Sequence, residues 1–336
     1  MIQKLLNYGV DVNARSGFFR PALEQAAKQG NYAAVLLLLE NGANPNLYDE
    51  QETFPKVNNK KAALCKACYG GYDDIVFLLL KPKYGIKPRK VTMRTAMLEA
   101  VRGGHEKLAM KLLGLCIFTD PNYLIVLHSD ILLTSIEYGH EGIARRILFL
   151  DGDPRIMIWY NDILDHKDRK RDGPRTIVEL ASLCGRASIL PLLLDNGATR
   201  TISALAHAAR NGHVDVARVL LDHPQPSGLQ VDTTAMLNGR HPPRKRYRTG
   251  DDWLEGIEEA DFIMVSFKQP PLHVASQNGE IAMVNFLLKR GANVLELWHN
   301  DRRDRNGVTA LARAIEYEEL EIAQMLREAG ALAESI

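Results

Sequence analysis

Apolar and polar positions alternate along the chain with a helical period, and the alternation itself recurs. Two small or apolar residues, two variable residues and a glycine precede an apolar stretch that often ends in Leu-Leu, as in residues 26–39. The small residues predict a short helix that approaches its neighbours closely, and the apolar stretch predicts a second helix with one buried face. The glycine predicts a left-handed cap between the two helices. The chain is therefore predicted to be all-α and built from helix pairs.

This unit occurs eight times. Its glycine, or the residue that replaces it, stands at Gly30, Gly71, Gly104, Gly139, Gly185, Gly212, Gly279 and Glu318. A second phrase, Gly-Ala, is predicted to end four of the second helices, at Gly42, Gly197, Gly291 and Gly330. Residues 2–13 match the second half of a unit, with Gly9 standing 33 residues before Gly42. Because one helix pair cannot bury its apolar face alone, neighbouring pairs are expected to stack.

The pattern resembles the ankyrin repeat, whose period is about 33 residues. Its fullest copy is Pro-Pro-Leu-His-Val-Ala at residues 270–275, beside the family's Thr-Pro-Leu-His-x-Ala. The resemblance implies an all-α ankyrin-repeat solenoid of about eight repeats plus a partial N-terminal one, with β-hairpin or loop fingers between helix pairs. It places repeats at 1–223 and 269–336, and a charged insertion at 224–268.

Composition is that of an ordinary globular protein, with 46% apolar and 25% charged residues and a formal net charge of +1. This balance argues against a general nucleic-acid or membrane-surface binder, which would be strongly basic. No apolar run approaches the roughly 20 residues that span a bilayer. Four cysteines in 336 residues do not make a disulfide framework. We expect a cytoplasmic monomer with protein partners, and no nucleic-acid or membrane partner.

Motifs for catalysis and metal binding are incomplete. Cys65 and Cys68 form a C-x-x-C without a second pair, which favours packing residues over a redox or zinc site. His105 and His140 each begin an H-E-x-x-H motif, but alanine replaces its second histidine. The common nucleotide-binding and serine-hydrolase motifs are absent from the sequence. We therefore expect no enzyme activity, no cofactor and no metal.

The resemblance also implies where a partner would bind, because the family uses its concave side. The variable residues before each glycine and at the entry to the first helices are the candidates: Arg20, Lys28, Gln29, Lys61, Tyr69, Arg94, Arg102, Glu137, Tyr138, Arg210, Asn211, Gln277 and Asn278. The N-terminal candidates are mostly basic, which favours an acidic segment in the partner. The predicted function is a non-catalytic interaction scaffold or adaptor. The alternative is that the chain is an N-terminally incomplete fragment, the recognition arm of a larger enzyme or a ubiquitin-ligase adaptor.

The insertion at 224–268 separates its charges. Basic residues cluster over 240–248 and acidic residues over 251–261, a pattern typical of a solvated loop. The basic run also resembles a short nuclear-import signal, made of Arg244, Lys245, Arg246 and Arg248. A solvated loop, nuclear import and docking of an acidic or phosphorylated partner all remain open for this segment.

Overall fold

A computed structural model describes residues 2–14, 21–45, 63–84, 90–115, 121–150, 176–224, 236, 269–298 and 307–333. The chain divides into two compact units, residues 1–152 and 153–336. Unit 1 contains α1 (Ile2–Asn7), α2 (Ala22–Lys28), α3 (Tyr32–Glu40), α4 (Ala63–Gly70), α5 (Asp73–Leu79), α6 (Lys90–Arg102), α7 (Glu106–Gly114), α8 (Pro121–Tyr138) and α9 (Glu141–Phe149), with a 3-10 turn at Pro82–Tyr84.

Unit 2 continues the same alternation of first and second helices. It contains α10 (Ile177–Leu183), α11 (Leu190–Asp195), α12 (Ile202–Arg210), α13 (Val214–Asp222), α14 (Pro271–Gln277), α15 (Ile281–Lys289), α16 (Ala310–Glu316) and α17 (Leu320–Ala333). Within the described segments, one antiparallel bridge joins Trp298 to Val308 in the finger before α16. Thr176, Thr201 and Thr309 begin three first helices, since each side chain accepts a hydrogen bond from a backbone N–H three residues later.

The helices after α1 form eight pairs, and the first helices stack in succession within each unit. In unit 1, α2 packs on α4, α4 on α6 and α6 on α8. In unit 2, α10 packs on α12, α12 on α14 and α14 on α16. Ala67 and Ala208 are fully buried between neighbouring first helices. Leu112 and Leu220 are fully buried on the inner faces of second helices. The all-α ankyrin-repeat solenoid predicted from the sequence is confirmed.

The glycine turns are confirmed, and packing adds a second reason for them. All seven glycines of the first phrase have φ between 66° and 82°. A Cβ on Gly71 would lie 2.3 Å from the ring of His105, and one on Gly104 would lie 2.8 Å from the ring of His140. The next repeat therefore packs directly onto the turn. Glu318 takes the same conformation, with φ 62°.

Two local predictions are wrong. Gly330 does not end the last second helix, because α17 continues to Ala333 through the strong helix formers that follow it. First helices are also not uniformly short: α6 has 13 residues and α8 has 18, against 7 in α2. Both long helices follow second helices that lack the Gly-Ala phrase. Pro121 is compatible with the start of α8 because proline is tolerated in a first turn.

The insertion at 224–268 does not interrupt stacking in unit 2. Ala206 in α12 and Val274 in α14 are both buried and lie in one core cluster. The Asp222 carboxylate at the end of α13 pairs with the Arg290 guanidinium beyond α15, with Nη2 2.6 Å from Oδ2. Helices on either side of the insertion therefore pack as consecutive repeats. Almost all of 224–268, including the basic run, lies outside the described residues.

Candidate partner-binding surface

In unit 2, α12 and α14 are enclosed except at their last turn. All residues from Ile202 to Ala209 in α12 are buried, and Arg210 is exposed. In α14, residues 271–276 are buried in the same way. The residues that precede the turns are therefore solvent-facing positions of the first helices, and α8 in addition exposes Ile125 and Val126 in its first half. We call ten of them the turn row: Lys28, Gln29, Tyr69, Arg102, Glu137 and Tyr138 in unit 1, and Arg210, Asn211, Gln277 and Asn278 in unit 2.

In unit 1 the turn row is aromatic and mixed in charge. Tyr69 is 54% exposed and Tyr138 is 45% exposed. Lys28 and Gln29 are exposed, and Glu137 is half-buried. Tyrosine, with its large aromatic side chain, is enriched at the energetic centres of protein interfaces. The unit 1 row therefore has the composition expected of a binding surface.

Three contacts fix the position of Arg102. Its guanidinium pairs with the Glu99 carboxylate on the same helix and lies 5.9 Å from the centre of the Tyr138 ring. Its backbone carbonyl accepts a hydrogen bond from His140 Nε2 at 3.1 Å. The charge of Arg102 is thus already compensated by Glu99. Opposite charges three residues apart on one helix are the sequence signal for this pair.

Arg94 is likewise engaged within unit 1. Its Nε lies 2.5 Å from Asp130 Oδ2, which joins α6 to α8 of the next repeat. Asp130 is 36 residues away in the chain, so local spacing could not have identified this partner. Arg20 and Lys61, also predicted to contact a partner, lie outside the described residues. Among the predicted basic residues of unit 1, Lys28 is the one described as exposed.

In unit 2 the turn row is amide-rich and ordered by hydrogen bonds. Three amide side chains bond to their surroundings: Asn211 Nδ2 donates to the Leu183 carbonyl at 2.9 Å, Gln277 Oε1 accepts from Gln269 at 3.0 Å, and Asn278 Nδ2 donates to the Val274 carbonyl at 2.7 Å. Arg210 and Asn278 are exposed, and Gln277 is half-buried. The two units therefore present different chemistry at equivalent positions.

Histidines after the glycines connect consecutive repeats. Each donates from Nε2 to a backbone carbonyl at the end of the preceding first helix: His105 to Tyr69 at 3.0 Å, His140 to Arg102 at 3.1 Å and His213 to Leu183 at 3.3 Å. These bonds place the predicted turn-row residues relative to the next repeat. His105 and His140 thus have a structural role where the incomplete H-E-x-x-H motif stands.

The cysteine pair is enclosed in α4. Cys65 and Cys68 are both fully buried. Burial raises the pKa of the Cys68 thiol, and the nearby Cys65, Glu99 and Asp73 raise it further. A protonated, buried thiol is a poor nucleophile and a poor metal ligand. Across the part of the chain that the structure describes, no group of three or more His, Cys, Asp or Glu residues could hold a metal ion.

In the same described segments, no helix combines the length and the apolar character needed to cross a bilayer.

A sequence profile of ankyrin repeats matches residues 23–123 and 253–335 in three copies, which is more than half of the chain. The chain belongs to the ankyrin repeat family. Ankyrin repeats mediate protein–protein interactions, so the turn row lies on a scaffold of a kind that binds proteins.

Three relatives carry ankyrin repeats as part of longer proteins. The chain is 27% identical over 170 residues to an ankyrin repeat and KH domain-containing protein, mask-1, of Caenorhabditis elegans, which covers 49% of this chain and 6% of that protein. It is 30% identical over 201 residues to the E3 ubiquitin-protein ligase XBAT33 of Arabidopsis thaliana and 28% identical over 206 residues to the probable E3 ubiquitin-protein ligase XBOS33 of Oryza sativa. Each plant match covers 60% of this chain, and 35% and 37% of the respective relative. The chain thus spans little more than a third of these relatives at most.

The ankyrin motif histidine shows how repeats are coupled. His273 Nε2 donates to the Val308 carbonyl of the next repeat at 2.8 Å. Glu179 occupies the equivalent position in an earlier repeat, where its Oε1 accepts from the Thr201 hydroxyl at 2.8 Å. Glutamate therefore replaces the family histidine without loss of the bond between repeats.

Proposed function

We propose that the chain is a non-catalytic protein–protein interaction scaffold or adaptor, and that a partner binds the turn row of unit 1. The observation that carries the proposal is the exposure of Tyr69 and Tyr138 at the last turns of α4 and α8. Both tyrosines stand on helices that pack against α6, and a tyrosine side chain has only two rotatable χ angles, so little conformational entropy is lost on binding.

The charges on the surface of unit 1 indicate which kind of partner segment could bind there. Arg94 and Arg102 are compensated by Asp130 and Glu99, so neither offers a full positive charge to an incoming protein. Lys28 is exposed at the α2 end of the row. The partner segment would therefore place an acidic residue near Lys28 and apolar surface against the two tyrosines.

The test is affinity purification of the intact chain with quantitative mass spectrometry, comparing wild type with Tyr69→Ala, Tyr138→Ala and Lys28→Glu. Tyr8→Ala is the matched control, because Tyr8 is 86% exposed but lies outside the turn row. We expect one set of proteins to be lost with the three turn-row variants and retained with Tyr8→Ala. Capture that is the same for all four variants would show that the turn row is not the binding surface.

The alternative is that the chain serves as the recognition arm of a larger enzyme or as a ubiquitin-ligase adaptor. Two relatives carry the name E3 ubiquitin-protein ligase, and the chain spans about a third of each, which supports this second proposal. Sequencing the full-length transcript would separate the two. A catalytic domain joined to these repeats supports the recognition arm, whereas additional repeats alone support the scaffold.

A further inference from the structure

Glycine interrupts the side chains of unit 1 at two neighbouring turns. The residue directly before the turn residue carries a side chain in six of the eight repeats, and it is glycine in the other two, at Gly70 and Gly103. A side chain at this position reaches back over the preceding repeat. The Tyr138 ring lies 5.9 Å from the guanidinium of Arg102, whose side chain is 16% exposed. Asn211 donates at 2.9 Å to a carbonyl of the preceding first helix.

Gly103 leaves Tyr69 uncovered. A Cβ on Gly103 would lie 2.3 Å from the Tyr69 carbonyl oxygen, so this position faces the last turn of α4. Gly103 has no side chain to place there, and Tyr69 is 54% exposed. Lys28 is exposed at the equivalent place one repeat earlier, where the following repeat carries Gly70. We define the glycine gap as the surface over Gly70 and Gly103, bounded by Lys28, Tyr69 and Tyr138.

Backbone carbonyls beneath the glycine gap already accept hydrogen bonds. His105 Nε2 donates to the Tyr69 carbonyl at 3.0 Å, and His140 Nε2 donates to the Arg102 carbonyl at 3.1 Å. At the α2 end, Gln29 is exposed, and its amide group carries two N–H donors. A proline-rich segment suits this surface, because proline has no backbone N–H that needs an acceptor and its carbonyl can accept from such donors.

The length of the glycine gap fits an extended segment. The helices α4, α6 and α8 pack in succession, and packed helix axes lie about 8–10 Å apart, so Tyr69 and Tyr138 are separated by about 16–20 Å. A polyproline II segment rises about 3.1 Å per residue and would cover this length with about six residues. Proline-rich segments dock in grooves lined by aromatic rings, which the two tyrosines supply. An α-helix about 10 Å wide would rest on the tyrosines and leave the glycines between them uncovered.

The α2 end of the glycine gap is positively charged. Lys28 is exposed, and Lys66 stands three residues before Tyr69, on the same face of α4. Glu24 is the one acidic residue of α2 and α4, and it is 2% exposed. This end of the gap therefore favours an acidic residue in the segment that binds there.

We propose that the glycine gap binds a proline-rich segment of a partner protein in the polyproline II conformation. Proline rings of the segment cover Tyr69 and Tyr138, and an acidic residue at one end faces Lys28 and Lys66. The charge at one end fixes the direction in which the segment lies. The proposal rests on the proposed function, in which a partner binds the turn row of unit 1, and it specifies the chemistry of that partner.

The experiment selects peptides on the full chain from a phage-displayed library of random sequences of about twelve residues, twice the length that covers the gap. We expect the enriched peptides to contain several prolines and an acidic residue. A fluorescein-labelled copy of the most enriched peptide is then measured by fluorescence anisotropy. Replacing its prolines with alanine should weaken binding about tenfold or more, as should Tyr69→Ala in the chain. Lys28→Glu should weaken binding and reduce its dependence on salt.

Matched controls locate the site. Tyr8→Ala changes a tyrosine that is 86% exposed outside the turn row, and Asn211→Ala changes the turn row of unit 2. Neither should alter peptide binding, and circular dichroism checks that each variant folds. Enriched peptides without proline, binding that Tyr69→Ala leaves unchanged, or a library from which no peptide is enriched would overturn the proposal.

Failure of this proposal and failure of the proposed function give different results. Proteins lost from Tyr69→Ala and Lys28→Glu in the affinity purification, together with enriched peptides that lack proline, would keep the turn row as the binding surface and refute the proline-rich segment. Affinity purification that is the same for wild type and all variants, together with peptides that bind Tyr69→Ala as well as wild type, would refute both.

Discussion

Every turn between a first and a second helix contains a residue with positive φ, and glycine supplies it in seven of the eight. Left-handed backbone alone costs a residue with a Cβ about 1 kcal/mol, so propensity explains only part of this preference. Packing explains the rest, because the side chain that follows the next turn lies where a Cβ would be. At Gly71 both effects act on one residue.

We predict that Gly71→Ala destabilises the chain by about 2 kcal/mol or more, since it strains the backbone and displaces the His105 ring. Urea unfolding of the full chain measures the loss. Gly114→Ala is the matched control, because Gly114 is helical and no atom lies within 4 Å of a Cβ built there. The control should change stability by no more than about 1 kcal/mol. Equal effects of the two substitutions would contradict the packing argument.

His207 is a titratable residue enclosed in α12. It is 1% exposed, and burial, with a smaller effect of Arg210, lowers its pKa from 6.5 to about 4. Between these pH values the unfolded chain binds more protons at this residue than the folded chain does. The free energy of unfolding therefore falls as the pH drops through this window, by up to roughly 3 kcal/mol. Burial also lowers the pKa of His273, which acts in the same direction.

We predict that the free energy of unfolding, measured from pH 7 to pH 4, falls less steeply in His207→Gln than in wild type. Glutamine is neutral throughout this range, so the proton uptake that destabilises the folded chain is removed. The comparison uses slopes, so a uniform loss of stability in the variant does not affect it. Identical slopes would show that His207 takes up its proton at a similar pH in the folded and unfolded chain.

At the scale of the element, Arg200, just before α12, stabilises the end of α13, the second helix of the same pair. Arg200 is 8% exposed, and its guanidinium donates to the Leu220 carbonyl at 2.8 Å and to the His223 carbonyl. The last carbonyls of a helix have no partner within it, and a cation there also favours the helix dipole. Arg200 thereby holds the end of α13, where the insertion begins.

We predict that Arg200→Leu destabilises unit 2 by about 2–3 kcal/mol, because it leaves two carbonyls without their charged donor. Hydrogen exchange should accelerate at the C-terminal turn of α13 before other helices respond. Arg218→Ala is the control: Arg218 is exposed on the same helix, and its loss should change stability by about 0.5 kcal/mol or less. Unchanged exchange in Arg200→Leu would refute a capping role.

At the scale of the whole molecule, the basic run of the insertion stays a prediction from sequence. We expect a fusion to a fluorescent protein too large for passive diffusion to enter the nucleus, and to lose this location when Arg244, Lys245, Arg246 and Arg248 are all replaced with alanine. Alanines at Lys167, Arg169, Lys170 and Arg171 remove the same number of basic residues from a mixed-charge run elsewhere and should have no effect. A fusion that stays outside the nucleus, or the same location for both variants, would disprove import through the insertion.

Some features of this fold could be predicted from the sequence, and others could not. Helix pairs, their glycine turns and their stacking follow from the sequence because they depend on local preferences and on apolar spacing. The lengths of α6 and α8 did not follow from the sequence. The Gly-Ala phrase is missing before both helices, so no residue marks where the preceding second helix ends and the long first helix begins. The continuation of α17 past Gly330 shows that glycine ends a helix only where the following residues also favour a turn.

By itself, the sequence determined the repeat, the all-α fold and the position of the turn row, because each depends on residues close together in the chain. Tertiary structure decided which of those residues can meet a partner. Arg94 is compensated by a carboxylate 36 residues away, while Tyr69 is 54% exposed at the end of its helix. Charge and exposure at a surface are set by neighbours in space, and stacking brings together residues that the chain holds far apart.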